Sequence, residues 1–457
     1  MGEFVHSRWI VVLTAGCAFF LVMLDASIVG VALPTISADL HAQPALVQWA
    51  LQGYLLALVS LIMPCGRWLV RVGRRASLMF GVVGFVCASV LAAVAHSLGM
   101  LVLARIAQGA FGAVVFALVP AMISEAVRPE ERGRAMGLLG VFGPLGAVSG
   151  PVVGGLLTSR FGWPSIFLVN VPVGALVAAL AMAVVPGGGR LTRPDRHLLV
   201  DVLLFGAAML GVMLAVTLSP TAGPWWLLLL VPSALLLVLW SRASGTAEVL
   251  TVLRSREEGT LVAMRLLVLT AVAVPPFLVP FYLTQFRHRS SAVVGVTLLA
   301  MTAAMVAWGP MSGILADRFG ARRVALVGLI ALIAGLALLV NLGTAWSPLS
   351  LAWRLGILGS GLALFSAPNQ SAIVGAAPDG LATVASAASG LAQNLGFAFG
   401  PALASAAWAF SDYRLPGMRV GFALAAACGV LALACGLHAR SARVPMTGAH
   451  MESAGTT

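Results

Sequence analysis

The sequence contains no lysine: all 27 of its basic residues are Arg. It is also poor in charge, with 9% Asp, Glu, Lys and Arg against about 25% in an ordinary soluble domain. So few charges cannot cover the surface of a water-soluble protein of 457 residues. Soluble enzymes, secreted repeats and disordered tails are thereby excluded. Nucleic-acid binding is excluded with them, although a net charge of +12 would otherwise suggest it. The missing Lys is the mark of a GC-rich genome, not of a chemistry. Cysteine is scarce too: Cys17, Cys65, Cys87, Cys428 and Cys435 all sit inside apolar runs. Their spacing gives neither a disulfide framework nor a zinc site, so they read as small packed hydrophobes. No metal is expected.

What is abundant is apolar sequence: 60% hydrophobic residues and a mean hydropathy of +1.02. A spanning helix needs roughly 20 mainly apolar residues. Fourteen such runs occur, at 9–33, 45–65, 76–96, 98–123, 135–158, 164–186, 198–219, 223–242, 260–283, 291–315, 322–342, 348–373, 383–408 and 418–438. The first run is too long for a cleaved signal peptide and lacks a small-residue cleavage site. The fold class is therefore an all-α polytopic membrane protein with 14 transmembrane helices.

Arginine placement tests that count. With a cytoplasmic N-terminus, 19 Arg fall in inner segments and 5 in outer ones (Arg160, Arg287, Arg289, Arg414 and Arg419), leaving Arg105, Arg265 and Arg354 within spans. This is the asymmetry the positive-inside rule requires; it places both termini in the cytoplasm and makes the anionic inner leaflet the partner of the basic excess.

The runs also repeat. Gly150-Pro151 recurs as Gly400-Pro401, an offset of 400 − 150 = 250, and the basic turn from Gly66 recurs from Gly313, an offset of 313 − 66 = 247. Such internal repeats are common in transporters. The chain divides into a six-helix bundle (1–190), two inserted helices and a cytoplasmic linker (191–259), a second six-helix bundle (260–440) and a cytoplasmic tail (441–457). Within the linker, Thr246 to Glu258 reads as an amphipathic segment lying on the membrane. Pro275-Pro276 reads as a break in the ninth helix.

Four stretches carry a resemblance to a known family. Leu24-Asp25-Ala26-Ser27 through Pro34 is similar to L-D-x-T-[IV]-V-N-V-A-L-P, with Ser27 and Gly30 in place of Thr and Asn. Gly313-Ile314-Leu315-Ala316-Asp317-Arg318-Phe319-Gly320-Ala321-Arg322-Arg323 is close to the loop motif G-x-L-A-D-R-x-G-R-[RK]; its first-half copy, Gly66 through Arg71, Gly73, Arg74 and Arg75, carries Val70 where the acid belongs. Gly146, Gly150, Pro151, Gly154 and Gly155 match G-x-x-x-G-P-x-x-G-G, and Arg105-Ile106-Ala107-Gln108-Gly109 matches R-x-x-Q-G. Together they resemble the major facilitator superfamily, specifically its fourteen-helix drug:proton antiporter branch of multidrug and natural-product exporters.

The resemblance implies two six-helix bundles that rock about a central cavity. It also assigns gating to Gly66, Arg71, Gly73, Arg74, Gly146, Gly150, Pro151, Gly154, Gly155, Gly313, Asp317, Arg318 and Gly320. Proton coupling falls to Asp25 and Arg105. Ionisable residues inside a membrane are costly and mark function, and these two share a depth of about 10–12 Å from the outer ends of their helices at 1.5 Å per residue. Remaining intramembrane polar residues are the candidate substrate contacts: Gln52, Tyr54, Gln108, Asn170, Tyr282, Gln285, Trp308, Asn369, Gln393 and Asn394. Arg265 and Arg354 are weaker candidates, being near enough to helix ends to snorkel.

The expected function is proton-coupled efflux of a small, largely apolar organic compound by a monomer in the plasma membrane. The proton gradient supplies the energy and no cofactor is needed. The alternatives are an uptake symporter, against which the Gly-Pro pattern argues, and a lipid transporter, whose cavity would be equally apolar. An enzyme is excluded: no His lies deep in a span, there is no His-Glu-x-x-His, and no Ser and Asp pair as a hydrolytic site.

Overall fold

The computed structural model describes residues 2–69, 72–128, 131–187, 196–242, 247–377 and 381–438. Its long helices are α1 (Gly2–Asp39), α2 (Trp49–Leu69), α3 (Arg74–Ala93), α4 (Leu98–Ala126), α5 (Arg132–Phe161), α6 (Asn170–Val184) and α7 (Arg196–Ala222). They continue as α8 (Leu230–Ser241), α9 (Arg256–Phe281), α10 (Ser291–Phe319), α11 (Ala321–Val340), α12 (Pro348–Gly375), α13 (Ala382–Ala409) and α14 (Leu415–His438). Local chemistry sets many of their ends. Ser97 caps α4 by accepting from Met100 N–H, and Ser347 caps α12 with Pro348 at the first helical position. Ser255 caps α9: its Oγ accepts from Glu258 N–H and donates to the Glu258 carboxylate. Gly162 (φ 80°) and Gly320 (φ 90°) end α5 and α10 in a conformation that L side chains resist.

Among the described residues, twelve helical segments are long and apolar enough to cross a membrane. α5 and α13 are not among the twelve, although they have 30 and 28 residues. In α13 the Gln393-Asn394 pair and many Ala, Gly and Ser residues dilute the apolar character. The structure thus supports twelve apolar spans among the described residues where the sequence reading expects fourteen; the pair expected to be weakest, 198–219 and 223–242, is within the twelve.

Helices α1–α6 pack among themselves, as do α9–α14, while α7 lies against α2 and α13, with α8 outside it. The repeat is visible in atomic contacts. Arg75 donates to the carbonyls of Met182 and Val185 at the end of α6; Arg322, 247 positions later, donates to Gly436 and Leu437 at the end of α14. Each basic turn thus caps the sixth helix of its half, a cation at a helix C-terminus.

Three further expectations need correction. α9 runs unbroken through Pro275, Pro276 and Pro280, because neighbouring helices hold a membrane helix together where proline removes a donor. A π-turn (Tyr282–Phe286) follows it. The amphipathic linker is shorter than expected: its helix covers Ala247–Arg254, and Glu258 belongs to the first turn of α9. Lastly, the cysteines are not uniformly packed: Cys65 is buried, Cys17, Cys428 and Cys435 are half-buried, and Cys87 is exposed. A small weakly polar side chain is tolerated on a lipid-facing surface.

Candidate functional site

At the core of the first half, five side chains from four helices form one dry polar cluster. Asp25 (α1), Arg105 and Gln108 (α4), Ser89 (α3) and Asn170 (α6) are each 0% exposed. Arg105 Nη1 donates to Asp25 Oδ2 at 2.5 Å; Gln108 Nε2 and Asn170 Nδ2 donate to Asp25 Oδ1 at 2.8 and 2.7 Å. The same two amides also donate to Ser89 Oγ, at 2.7 and 3.1 Å. Arg105 Nε donates to the Ala50 carbonyl at 2.8 Å, and its guanidinium lies 4.3 Å from the centre of the Tyr54 ring. Charge, hydrogen bonds and a cation–π contact together compensate the removal of two ions from water.

The sequence places Asp25, Arg105, Gln108, Asn170 and Tyr54 as candidates, and the fold unites all five. It adds Ser89, which sequence reasoning missed; an isolated Ser inside an apolar run carries too weak a signal on its own.

The other polar candidates are dispersed. Gln52 bonds Gln48 and the Ala398 carbonyl. Tyr282 donates to the Gly343 carbonyl and accepts from Trp346 N–H, so it ties two ends of the second half together. Gln285 is exposed on the π-turn and Trp308 is exposed on α10. Asn394 bonds its own helix at Gly390. Asn369 reaches the Leu261 carbonyl, and Gln393 accepts from Arg265. Arg354 does not snorkel freely: its guanidinium lies 3.9 and 4.2 Å from the ring centres of Trp346 and Trp353.

The Gly-Pro pattern of α5 has two working faces. Gly146, Gly150 and Gly154 lie on α1: a Cβ at Gly146 would stand 2.7 Å from the Phe20 carbonyl, and one at Gly154 would stand 2.8 Å from that of Ile28. Gly150 meets Ser27, two residues beyond Asp25 on α1. Gly155 and Pro151 instead meet α10 of the other half, where a Cβ at Gly155 would stand 2.5 Å from the Ser291 carbonyl. Small residues are what permit such backbone approach. Nearby, Thr35 and Ser291 hydroxyls are 3.5 Å apart, and Gly30 faces Pro276 of α9. The two halves thus close on each other at the end opposite the termini, called distal here.

At the proximal end, no hydrogen bond or glycine contact joins the two halves among the described residues. From Met305 to Gly320, α10 has exposed residues around nearly its whole circumference, with Ser312 buried. A Cβ at Gly313 or Gly320 would meet nothing within 4 Å. Asp317 and Arg318 are exposed there, with Arg318 over the Phe319 ring at 5.3 Å. In the first-half motif, Gly73 precedes α3 as its N-cap and Arg74 makes a bidentate ion pair with Glu125 at the end of α4. The repeat position of Arg74 in the loop motif is Ala321, so the second half has no counterpart of this arginine. Gly66 lies in the last turn of α2; Val70 and Arg71 lie outside the described residues.

A helical bundle in two repeated halves that meet across one end suits a multi-pass membrane transporter. The family model of the Major Facilitator Superfamily matches residues 15–197 and 260–452. The chain belongs to that superfamily, and it is a transporter, not an enzyme. It is 29% identical over 415 residues to the riboflavin transporter RibZ of Clostridioides difficile, covering 88% of this chain and 89% of that one. It is 31% identical over 406 residues to the tetracenomycin C resistance and export protein of Streptomyces glaucescens, covering 86% and 75%. Among solved structures, a bacterial homologue of the human lysosomal transporter Spinster, in an inward-facing and unoccupied conformation, superposes with a TM-score of 0.65 at 16% identity. The match covers 96% of this chain and 99% of that one.

Proposed function

We propose that this chain is a proton-coupled exporter of a small, largely apolar organic compound, of the fourteen-helix drug:proton antiporter type. In this reading all fourteen helices span the plasma membrane, both termini are cytoplasmic, and the protein works as a monomer without a cofactor. α1–α6 and α9–α14 rock as two bundles, with α7–α8 inserted between them. The distal closure faces outward and the proximal end receives substrate from the cytoplasm or inner leaflet. The observation that carries the reading is the Asp25 cluster and its seat against α5.

Asp25 accepts from Arg105, Gln108 and Asn170 at once. Protonation turns one of its carboxylate oxygens into a donor and removes its charge, so the charge-assisted bond from Arg105 is weakened and the cluster has to adjust. α1 holds this carboxylate and packs on Gly146, Gly150 and Gly154 of α5, while the other face of α5 closes on α10. A proton on Asp25 therefore disturbs the helix that holds the distal contact. That link supports alternating access driven by protonation. The resemblance to the tetracenomycin C resistance and export protein and the glycine-proline pattern support the outward direction; the riboflavin transporter keeps a riboflavin-like substrate within range.

Asp25→Asn tests it. Asn keeps the size and accepts and donates hydrogen bonds, but does not take up the proton. In inside-out vesicles with an acid interior, the variant should bind and exchange substrate without concentrating it. Varying the membrane potential, worth about 2.3 kcal/mol per elementary charge per 100 mV, then reports the charge moved per cycle. Undiminished accumulation by Asp25→Asn at equal expression refutes the role of Asp25.

A further inference from the structure

α13 and α14 are joined at the distal end by a turn with an uncommon backbone. Asp412 (φ 52°) and Tyr413 (φ 58°) are consecutive left-handed residues, a conformation that persists only where the surroundings impose it. Trp408 imposes it here. Its carbonyl accepts from Ser411 and Tyr413 N–H, and its ring meets the Tyr413 ring edge-on with centres 5.3 Å apart. The turn is therefore held in place, and with it the two charged residues it presents, Asp412 and Arg414. Both are exposed, and among the described residues neither makes an ion pair.

Beside this turn α13 and α14 part around a groove of about 310 Å³. Ala406, Ala407 and Gly417 line its inner side, and the exposed Phe410, Val420 and Leu424 form its rim. Gly417 draws the helices together, since a Cβ there would stand 2.9 Å from the Ala407 carbonyl, and the small residues next to that contact leave the space beside it unfilled. Ser411, the polar residue of the lining, directs its hydroxyl to the Trp408 and Arg414 carbonyls, so the groove is apolar throughout. From Gly417 to Leu424 it runs seven residues along α14, about 10 Å at 1.5 Å per residue.

An apolar channel that begins at the end of a membrane helix and follows it inward has the form of an acyl-chain site. The turn over its mouth decides the headgroup. Asp412 repels an anionic lipid, whereas a zwitterionic aminophospholipid offers its ammonium to Asp412 and its phosphate to Arg414. We propose that this groove and turn bind such a lipid, with one acyl chain between α13 and α14 and the headgroup on Asp412 and Arg414. The site is separate from the Asp25 cluster and independent of what is transported.

The test is native mass spectrometry of the purified full-length protein in detergent, titrated with dioleoyl phosphatidylethanolamine and dioleoyl phosphatidylglycerol. The two lipids share their chains and differ in headgroup charge. Wild type should bind the ethanolamine lipid about threefold more tightly or better, the scale of an exposed ion pair. Asp412→Asn should bring the two affinities together while keeping the turn, because Asn also tolerates a left-handed backbone. Ala406→Phe, which fills the groove, should weaken binding of both lipids at an unchanged melting temperature. Equal affinities in wild type, a preference that survives Asp412→Asn, or undiminished binding by Ala406→Phe overturns the site. A protein dimer that Ala406→Phe dissolves would put a second copy of the chain in the groove, and overturns it as well.

Discussion

Gly155→Ala places a Cβ 2.5 Å from the Ser291 carbonyl across the distal contact. An ordinary contact begins near 3.4 Å, so backbone has to move by about 0.9 Å; no flexible side chain stands there to give way. Overpacking of this kind costs about 1–3 kcal/mol. The clash exists only while α5 and α10 are closed, so the whole cost falls on the distal-closed state. At 1.4 kcal/mol per tenfold, that state should lose roughly 5- to 140-fold relative to distal-open states. Spin labels at Arg160 and His288, both exposed and on opposite sides of the contact, report the change by double electron–electron resonance in a background without native cysteines. A longer distance population should grow in Gly155→Ala. Two controls separate the faces of the motif. Gly150→Ala, which meets Ser27 of α1 inside one half, should lower thermal stability without opening the distal end. Gly313→Ala, with nothing within 4 Å, should do neither. An unchanged distance distribution in Gly155→Ala refutes the proposed role of this contact.

Arg105→Met leaves the Asp25 carboxylate buried without its counter-charge, a loss of about 3–5 kcal/mol; thermal size-exclusion should show less folded protein, with Arg105→Met/Asp25→Asn recovering much of it. If the single variant melts like the parent, the pair does not hold the first half together. The Arg74–Glu125 side chains are 26% and 53% exposed, so Glu125→Gln should cost only about 0.2–1 kcal/mol, and high salt should erase the difference; a large salt-independent loss would contradict a surface latch. Cys87 should react with a membrane-permeant maleimide in the native protein while Cys65 does not, as intact-mass measurement would show. Labelling of Cys65 first would mean that the α2 packing is misread.

Much of the candidate site is legible one residue at a time. Asp25 and Arg105 announce themselves because a charge in an apolar run has no cheap environment, and counting residues from helix ends sets their common depth. Ser89 is invisible at that level: a hydroxyl can satisfy itself on its own helix, and here it also bonds the Phe85 carbonyl. Only the approach of α3, α4 and α6 makes it the acceptor for two amides. Gln285 and Trp308 show the opposite failure, since polarity alone cannot say whether a residue faces a cleft, a neighbour or the surface.

Composition and periodicity by themselves determined the membrane class, the run boundaries to within a few residues and the repeat offset near 250, because hydrophobic transfer and chain length are local quantities summed along the sequence. Tertiary structure decided the rest. It showed which face of each helix packs, that one motif in α5 serves α1 with Gly150 and α10 with Gly155, and that Pro275 and Pro276 bend no helix into two. It also gave Arg105 an ion pair with Asp25 and, among the described residues, gave Arg265 only the amide of Gln393. Those outcomes depend on what stands opposite each side chain, and in a bundle of helices the neighbour opposite is set by packing between segments hundreds of residues apart.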